Sequence, residues 1–556
     1  MPDSTQAIRH KLLNTFFSRH SIWLACIFIA LLITLFHLGY EPRYIHYFMP
    51  ETLLNSIWLI TALLSLLGLY DLLQNRHAIL KNYPIVGHFR FIFEEFRPEI
   101  RQYFIEADQD ALPFSRQQRN LVYQRAKNEN ADKPFGSIID VYQEDYRFMT
   151  HSITPCRPVN SDSFRITIGS RHCSQPYSAS IFNISAMSFG SLSANAIRAL
   201  NKGAQLGNFY HDTGEGSISP YHLENGGDLV WELGSGYFGC RTLDGQFDPV
   251  RFAEQAQLPQ VKMIEIKLSQ GAKPGHGGIL PKHKISEEIA RIRGISREHD
   301  CVSPSSHSAF STPLEMMQFI QQLRELSQGK PVGFKLCIGQ PWQFMSIVKA
   351  MLQSQIVPDF IVVDGAEGGT GAAPLELINY MGTPLREGLL FVHNTLVGAG
   401  LRDQIKVGAS GKIISAFDIA STMAIGADWV NSARGFMFAV GCIQAQSCHT
   451  NLCPVGVATQ DPDRQKALHV PSKALRVFNF HKNTLRGLSE LIAAAGLCHP
   501  ADIKAHHLAQ RINDREIKNY AQLHFWLKPG ELLRCENKDE ENFYFRMWNL
   551  ASADKF

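Results

Sequence analysis

The sequence has almost no net charge. Its 54 Lys and Arg balance 51 Asp and Glu, leaving +3. That excludes the basic stripe expected of a nucleic-acid binder, so no nucleic-acid partner is expected. It also lacks a second pair of closely spaced cysteines. Eleven cysteines are spread over 556 residues, which is not the framework of a small disulfide-rich secreted protein. Two stretches lack charge altogether: Ser21 to Tyr40 and Leu53 to Tyr70 contain no Asp, Glu, Lys or Arg. Each approaches the ~20 residues needed to cross a bilayer. No small-residue cleavage site follows the first, and the second comes soon after, which argues against a signal peptide. A soluble helical hairpin is the alternative. Arg9, Lys11 and Arg19 precede the first stretch, Arg76 and Lys81 follow the second, and only Arg43 lies between them. This asymmetry predicts both ends in the cytoplasm. Residues 1–83 are thus expected to form a two-pass hairpin in the inner (cytoplasmic) membrane, with helices at about 21–40 and 53–73 and the rest of the chain in the cytoplasm.

What the chain does have is glycine, 41 in all, gathered in clusters, and one trio of cysteines. Residues 84–175 read as a polar, aromatic-rich lead-in whose Arg101, Arg116, Arg119, Arg125 and Lys127 are expected on a solvated surface. From about Ser178, short apolar runs alternate with helical stretches. Expected strands are Ile181–Ala186, Asn208–His211, Gly236–Cys240, Met263–Leu268, Val332–Cys337, Phe360–Val363, Ile405–Gly408 and Trp429–Asn431. Expected helices include Ala194–Leu206, Pro313–Leu326, Trp342–Gln353 and Ser415–Ile425. This rhythm predicts a parallel sheet. Eight strands over roughly 250 residues fit an α/β fold of the closed (β/α)8 TIM-barrel type. The open, doubly wound sheet is the rival. The run Gly234-Ser-Gly-Tyr-Phe-Gly239 carries its glycine signature, but a turn follows where the dinucleotide motif needs an apolar helix. The barrel domain is placed at 176–500 and a C-terminal extension, packed outside it, at 501–556.

Loops after barrel strands carry function, and six are unusual: 185–193, 213–216 (Thr-Gly-Glu-Gly), 269–278, 365–371, 408–412 and 432–435. Glycines let backbone N–H groups approach a ligand, and the last two loops occupy the phosphate-binding place of such barrels. Together they point to a phosphate-bearing cofactor. Lys335, in the strand Gly-Phe-Lys-Leu, is placed to aim a charge into the mouth and to stabilise negative charge on a reduced flavin. Glu215 and Lys273, held between glycines, are candidate functional residues, although a lone charge is more often simply exposed.

Cys442, Cys448 and Cys453 are separated by five and then four residues, and Pro454 follows. Thiolates this close are seldom disulfides in a cytosol-facing chain. They suit an iron–sulfur cluster, and three ligands favour a three-iron cluster or a four-iron cluster with an outside ligand. Three buried thiols or a zinc site are the alternatives, although zinc usually takes a second pair.

The runs Ser-Ala-Met-Ser-Phe-Gly-Ser-Leu-Ser, Thr-Gly-Glu-Gly, Lys-Leu-Ser-Gln-Gly-Ala-Lys-Pro-Gly, Gly-Gly-Thr-Gly-Ala-Ala-Pro and Cys-x5-Cys-x4-Cys-Pro-Val-Gly-Val-Ala-Thr-Gln carry a family resemblance. From about Ile181 to Gln460 the chain resembles the FMN-binding synthase domain of glutamate synthases, and the lead-in and hairpin resemble its stand-alone, membrane-attached members. The resemblance implies FMN at the barrel mouth and a [3Fe–4S] cluster in loop 442–453, on Cys442, Cys448 and Cys453. It implies electrons passing through the cluster to FMN, and a hydride passing to 2-iminoglutarate made from 2-oxoglutarate and ammonia. By motif, Ser185, Met187, Ser188, Gln270, Gly369, Gly411 and Gly435 would hold FMN, with Lys335 beside the ring. Glu215 and Lys273 match charged residues near the substrate and the ammonia entry. The family's glutaminase nucleophile is an N-terminal cysteine. This chain begins Met1-Pro2-Asp3-Ser4, so it is expected not to split glutamine by that route. His276 stands where the family has Glu, and His211-Asp212 where it has Ser-Asn. An electron-donor protein or quinone is an expected partner. The alternatives are an N-methylglutamate-synthase-like enzyme that takes an amine, and a membrane electron-transfer subunit without its own substrate.

Overall fold

The computed structural model describes residues 20–39, 50–74, 77–105, 112–129, 132, 134–169, 172–534 and 541–556. The chain divides into two compact units, Met1–Ala107 and Asp108–Phe556.

In the first unit two apolar helices pair, Ser21–His37 and Glu51–Leu73. Trp23 Nε1 donates to Ser65 O at 2.9 Å, and Trp58 Nε1 to Thr34 Oγ1 at 2.9 Å. Gly68 makes room for the Trp23 indole, because a Cβ there would lie 2.0 Å from its Cδ1. Glu51–Leu73, with a mean hydropathy of 1.9, is the one helix among the described residues long and apolar enough to cross a membrane. Ser21–His37 is apolar but has 17 residues. Leu63, Leu66 and Leu69 are exposed. Arg9, Lys11, Arg19, Arg43 and Arg76, on which the expected orientation rests, lie outside the described residues, as does the first tetrapeptide.

The second unit is built on a closed barrel of eight parallel strands, as expected from the alternation. They are β1 Phe182–Ile184, β2 His211–Asp212, β3 Leu229–Leu233, β4 Val261–Lys267, β5 Val332–Leu336, β6 Phe360–Asp364, β7 Lys406–Ser410 and β8 Trp429–Ser432. Neighbours pair in sequence order, and β8 pairs back with β1. Seven of the eight expected strands are there, with shifted ends. The second starts later because Asn208 (φ 51) caps the preceding helix in the left-handed conformation.

The third is a correction. Gly236–Cys240 is not a strand. Tyr237 (φ 46) and Gly239 (φ 89) turn the chain there, and left-handed residues do not extend a strand. The strand is Leu229–Leu233, wholly buried, with Glu232 interrupting its apolar pattern. The Gly-x-Gly-x-x-Gly run is therefore the turn after β3.

Helices wrap the barrel, among them α1 Ala194–Gly207, α2 Pro313–Leu326, α3 Pro341–Ser354, α4 Arg434–Val440 and α5 Val470–Ala494. Phe182 of β1 stacks on Phe436 of α4 at 5.1 Å between centroids and lies edge-on to Phe480 of α5 at 5.7 Å. The lead-in helix Arg116–Lys127 lies along α5, with Arg119 buried and Asn483 Nδ2 donating to Arg125 O at 2.8 Å. These basic residues are thus partly packing groups, not all solvated as expected. The C-terminal segment packs outside the barrel. Leu508–Arg511 pairs antiparallel with Arg147–Met149, and Lys349 Nζ of α3 donates to Ala551 O at 2.9 Å.

A buried ion pair ties α2 to the barrel floor. Arg324 Nη2 lies 3.0 Å from Asp359 Oδ2, both under 4% exposed, and Val332 N donates to the same oxygen at 2.9 Å. Breaking such a pair leaves a buried charge uncompensated. Arg324→Ala is expected to cost about 3–5 kcal/mol, read as a lower denaturation midpoint. An unchanged midpoint would show that water reaches Asp359.

Candidate functional site

The mouth loops surround a cavity of about 1290 Å³, counting the space open to solvent. Ser185, Met187, Ser188, Glu215, Gln270, Lys273, Lys335, Gly369 and Gly411 all line it, together with Cys448. Of the expected residues, Gly435, Cys442 and Cys453 stand behind this lining. Gly435 is buried in the first turn of α4, where a Cβ would lie 2.6 Å from Ser432 Oγ.

On one wall Glu215 follows β2. Lys267 Nζ, at the end of β4, reaches Glu215 Oε1 at 3.2 Å and Gln270 Oε1 at 2.7 Å. Ser303 Oγ donates to Glu215 Oε2 at 3.3 Å. Gly278 permits this arrangement, since a Cβ there would sit 1.6 Å from Glu215 Oε1. Burial raises the Glu215 pKa, but Lys267, Arg293 and Lys273 outweigh it and hold the carboxyl below its usual range. Lys273 Nζ donates to Ala372 O at 2.9 Å. Burial lowers its pKa to about 8 despite the opposing charge of Glu215. His276 turns a ring nitrogen to Gly277 O at 2.8 Å, on the same loop.

Across the cavity, Asp364 at the end of β6 accepts from Gly271 N at 2.7 Å and from the Ser410 hydroxyl. The 269–278 and 365–371 loops touch here. A Cβ on Gly271 would lie 1.8 Å from Gly365 O. Arg434 Nη2 donates to Thr370 O at 2.5 Å, and its guanidinium crowds Gly369. Lys412 stands at the end of β7, its ammonium 5.8 Å from the ring centroid of Phe114.

At the bottom lies Lys335. Its ammonium contacts Glu232 and lies 3.2 Å from Glu265 Oε1. Asp212, Glu232 and Glu265 converge within 4.8 Å, all buried. Burial lowers the lysine's pKa, but these carboxylates and Asp364 raise it well above the usual value. Burial pushes Glu265 up to about 7 and Asp212 well above the carboxylate range. Close carboxylates around one cation cannot all ionise cheaply, which is a further physical cause of both rises.

Sequence reasoning missed this carboxylate ring, together with Lys267, Lys284, Asp364 and Arg434. One signal was available: Glu232 and Glu265 each sit inside an apolar strand of a barrel, where an unpaired charge is costly.

The cysteine loop follows α4. Cys442 and Cys453 are buried and Cys448 is partly so. Gln444, Gln446 and Asn451 adopt φ of 61, 55 and 67 within it, a concentration of left-handed residues that tertiary contacts must hold in place. Gln444 N points at Cys442 Sγ at 3.4 Å, Tyr123 OH donates to Cys442 O at 2.7 Å, and Lys284 Nζ to Cys448 O at 3.2 Å. Burial pushes the Cys442 thiol up to about 11. Among the described residues, the carboxylate ring is the one group of three metal-type ligands converging within 4.8 Å. The thiols are spaced more widely than ligands at ~2.3 Å from a single zinc ion.

Residues 142–498 match the conserved region in glutamate synthase. The chain is 38% identical over 490 residues to the glutamate synthase large subunit-like protein YerD of Bacillus subtilis, covering 81% of this chain and 93% of that one. It is 33% identical over 315 residues to the archaeal glutamate synthase [NADPH] of Methanocaldococcus jannaschii, covering 56% of this chain and 58% of that one. Against the B. subtilis glutamate synthase [NADPH] large chain the identity is 32%, over 57% of this chain and 20% of that one. In three dimensions it aligns with the recombinant flavin-binding domain of baker's yeast flavocytochrome b2 at a TM-score of 0.39 and 11% identity, covering 82% and 93% of the two chains. The chain belongs to the glutamate synthase family, oxidoreductases acting on CH–NH2 donors.

Proposed function

We propose that this chain makes L-glutamate from 2-oxoglutarate and ammonia, with FMN in the barrel mouth and a [3Fe–4S] cluster on Cys442, Cys448 and Cys453. The observation that carries the reading is one cavity gathering Glu215, Lys273 and Lys335 with the glycine loops after β6 and β7, in a member of this family. The donors fit an anionic, phosphate-bearing flavin. Lys412 and Arg434 stand at the loops after β7 and β8, where barrels hold phosphate, and Lys335 is the deep cation. The thiol loop fits a multi-iron group: three soft ligands, spaced more widely than one ion needs, beside the cavity. Bound FMN would supply the hydride and the cluster the electrons.

The chain's own residues then have distinct tasks. Lys335 presents a permanent positive charge that its carboxylate ring keeps protonated. Lys267 and Lys273 offer cations to a dicarboxylate substrate. Glu215, fixed by Lys267 and Ser303, accepts hydrogen bonds from ammonia. Lys273, near pKa 8, exchanges a proton in the working range.

We further infer that the paired apolar helices anchor the protein in the cytoplasmic membrane with the barrel on the cytoplasmic side. The length and hydropathy of Glu51–Leu73 and the exposed leucines support this. Retention in the membrane pellet after alkaline carbonate washing is the expected result, and release to the supernatant would remove the anchor.

Function is tested anaerobically on detergent-purified protein with its flavin reduced. Adding 2-oxoglutarate and ammonium is expected to reoxidise the flavin rapidly and yield glutamate. Reoxidation hastened only by a quinone or ferredoxin would replace this reading with an electron relay. Reoxidation that requires methylamine would replace it with an N-methylglutamate-type synthase. Iron content is expected to fall in Cys448→Ser. Unchanged iron would remove the cluster.

A further inference from the structure

Two cysteines outside the site lie together. Cys498 Sγ is 3.6 Å from Cys156 Sγ, although the residues are 342 apart in sequence. Cys498 is exposed and Cys156 partly so, and both are free thiols. The contact is held by backbone. Ser152 N donates to Ala494 O and Cys156 N to Ala493 O, each at 2.9 Å, so the lead-in runs along the end of α5. Gly496 (φ 77) then turns the chain, with Leu497 N bonded to Ile492 O at 2.9 Å, and delivers Cys498 to the same place. The His499 ring packs edge-on against Phe164 of the lead-in at 5.7 Å. A disulfide brings the two sulfurs to about 2.0 Å, and here they already stand at 3.6 Å.

We propose that Cys156 and Cys498 form a reversible disulfide, a redox modification site that fastens the lead-in to the end of α5. A small-molecule disulfide is the oxidant. The exposed Cys498 loses its proton and its sulfur attacks one sulfur of the reagent, forming a mixed disulfide and expelling one thiolate. Cys156 loses its proton, attacks Cys498 Sγ and expels the second thiolate. The two protein thiols give up two electrons and two protons, and the reagent becomes two thiols. Cys498 is the more exposed of the two, which makes it the entry point and Cys156 the resolving thiol. In a reducing compartment the bond opens again, as redox-responsive cytosolic disulfides do.

The clamp matters because of what the lead-in carries. Phe114 lines the cavity, and Tyr123 holds Cys442 O. The same segment is tied to α5 by Ser489 Oγ donating to Val159 O at 2.7 Å and by Asn479 Nδ2 donating to Ala126 O at 3.2 Å. Oxidation adds a covalent tie between the lead-in and the end of α5, closing a loop that contains the whole barrel.

The test uses the full chain in detergent, incubated at neutral pH with oxidised glutathione, alkylated, digested and analysed by mass spectrometry. The expected product is a linked peptide joining Cys156 to Cys498, with two fewer alkylatable thiols, both restored by dithiothreitol. Cys498→Ser is expected to abolish the linked peptide and leave Cys156 alkylatable. Three outcomes overturn the proposal: both cysteines alkylated after oxidation, a stable glutathione adduct on Cys498 with Cys156 still free, or the same thiol loss in Cys498→Ser. The readout does not depend on flavin, iron or activity.

Discussion

Lys335→Met is expected to lower the stability of the barrel unit by about 3–5 kcal/mol at pH 8, and by less at pH 5.5. The lysine is the cation among Asp212, Glu232 and Glu265, which meet within 4.8 Å. Its loss leaves their charge buried and unpaired, with protonation the cheapest relief. The sign follows from Glu265. Burial raises its folded pKa from 4.5 to about 7, against the pull of Lys335. A carboxyl whose folded pKa is raised contributes stability that is full below its unfolded pKa and is lost as pH rises through the folded value. Without Lys335 the folded value climbs further, so the loss extends above pH 7. The denaturation midpoint of variant and parent at pH 5.5 and pH 8 decides the matter. A deficit equal at both pH values would mean that the cluster carries no titrating proton and that Lys335 acts by packing alone.

This cluster marks the limit of what the sequence could reveal. The barrel was legible because seven of its strands are short buried runs that give way to a loop and then a helix, as in Val332–Leu336 followed by Pro341–Ser354. The mouth loops were legible because glycine clusters recur at those strand ends. Glu215, Lys273, Lys335 and the cavity glycines Gly369 and Gly411 could therefore be brought together in advance. The third strand was hidden by Glu232, a charge inside an apolar run that a two-fold pattern does not anticipate. The carboxylate ring was hidden for a deeper reason. Asp212, Glu232 and Glu265 come from three successive strands, and only the pairing of those strands in register, Glu232 opposite Glu265, makes them neighbours. Local periodicity contains no such information. The contact of Tyr123 with Cys442 spans 319 residues and was equally invisible.

Glu215→Gln is expected to lower kcat/KM by roughly 10²–10⁴-fold, the range of a lost acid–base or charged contact at a reacting centre, and to shift the pH profile. Glu215 carries its negative charge across the working range, because Lys267, Arg293 and Lys273 hold it ionised against burial. That charge in turn raises Lys273, whose pKa burial has brought down to about 8. Glutamine keeps the shape and can still meet Lys267 through its carbonyl, with its amide N–H donating to the Ser303 hydroxyl, but it removes the charge. Lys273 then sits beside Lys267 with no opposing carboxylate, and its titration moves to lower pH by about one pH unit, the scale of one partly screened charge a few ångströms away. The alkaline limb of activity is expected to move with it. Competitive labelling of the Lys273 amine against pH reads the same shift without turnover, which separates the electrostatic effect from a failure of the proposed reaction. If labelling shifts and activity does not, Lys273 is charged scaffolding at the cavity wall. If activity falls while labelling stays near pH 8, Glu215 works on the substrate directly and its charge does not govern Lys273.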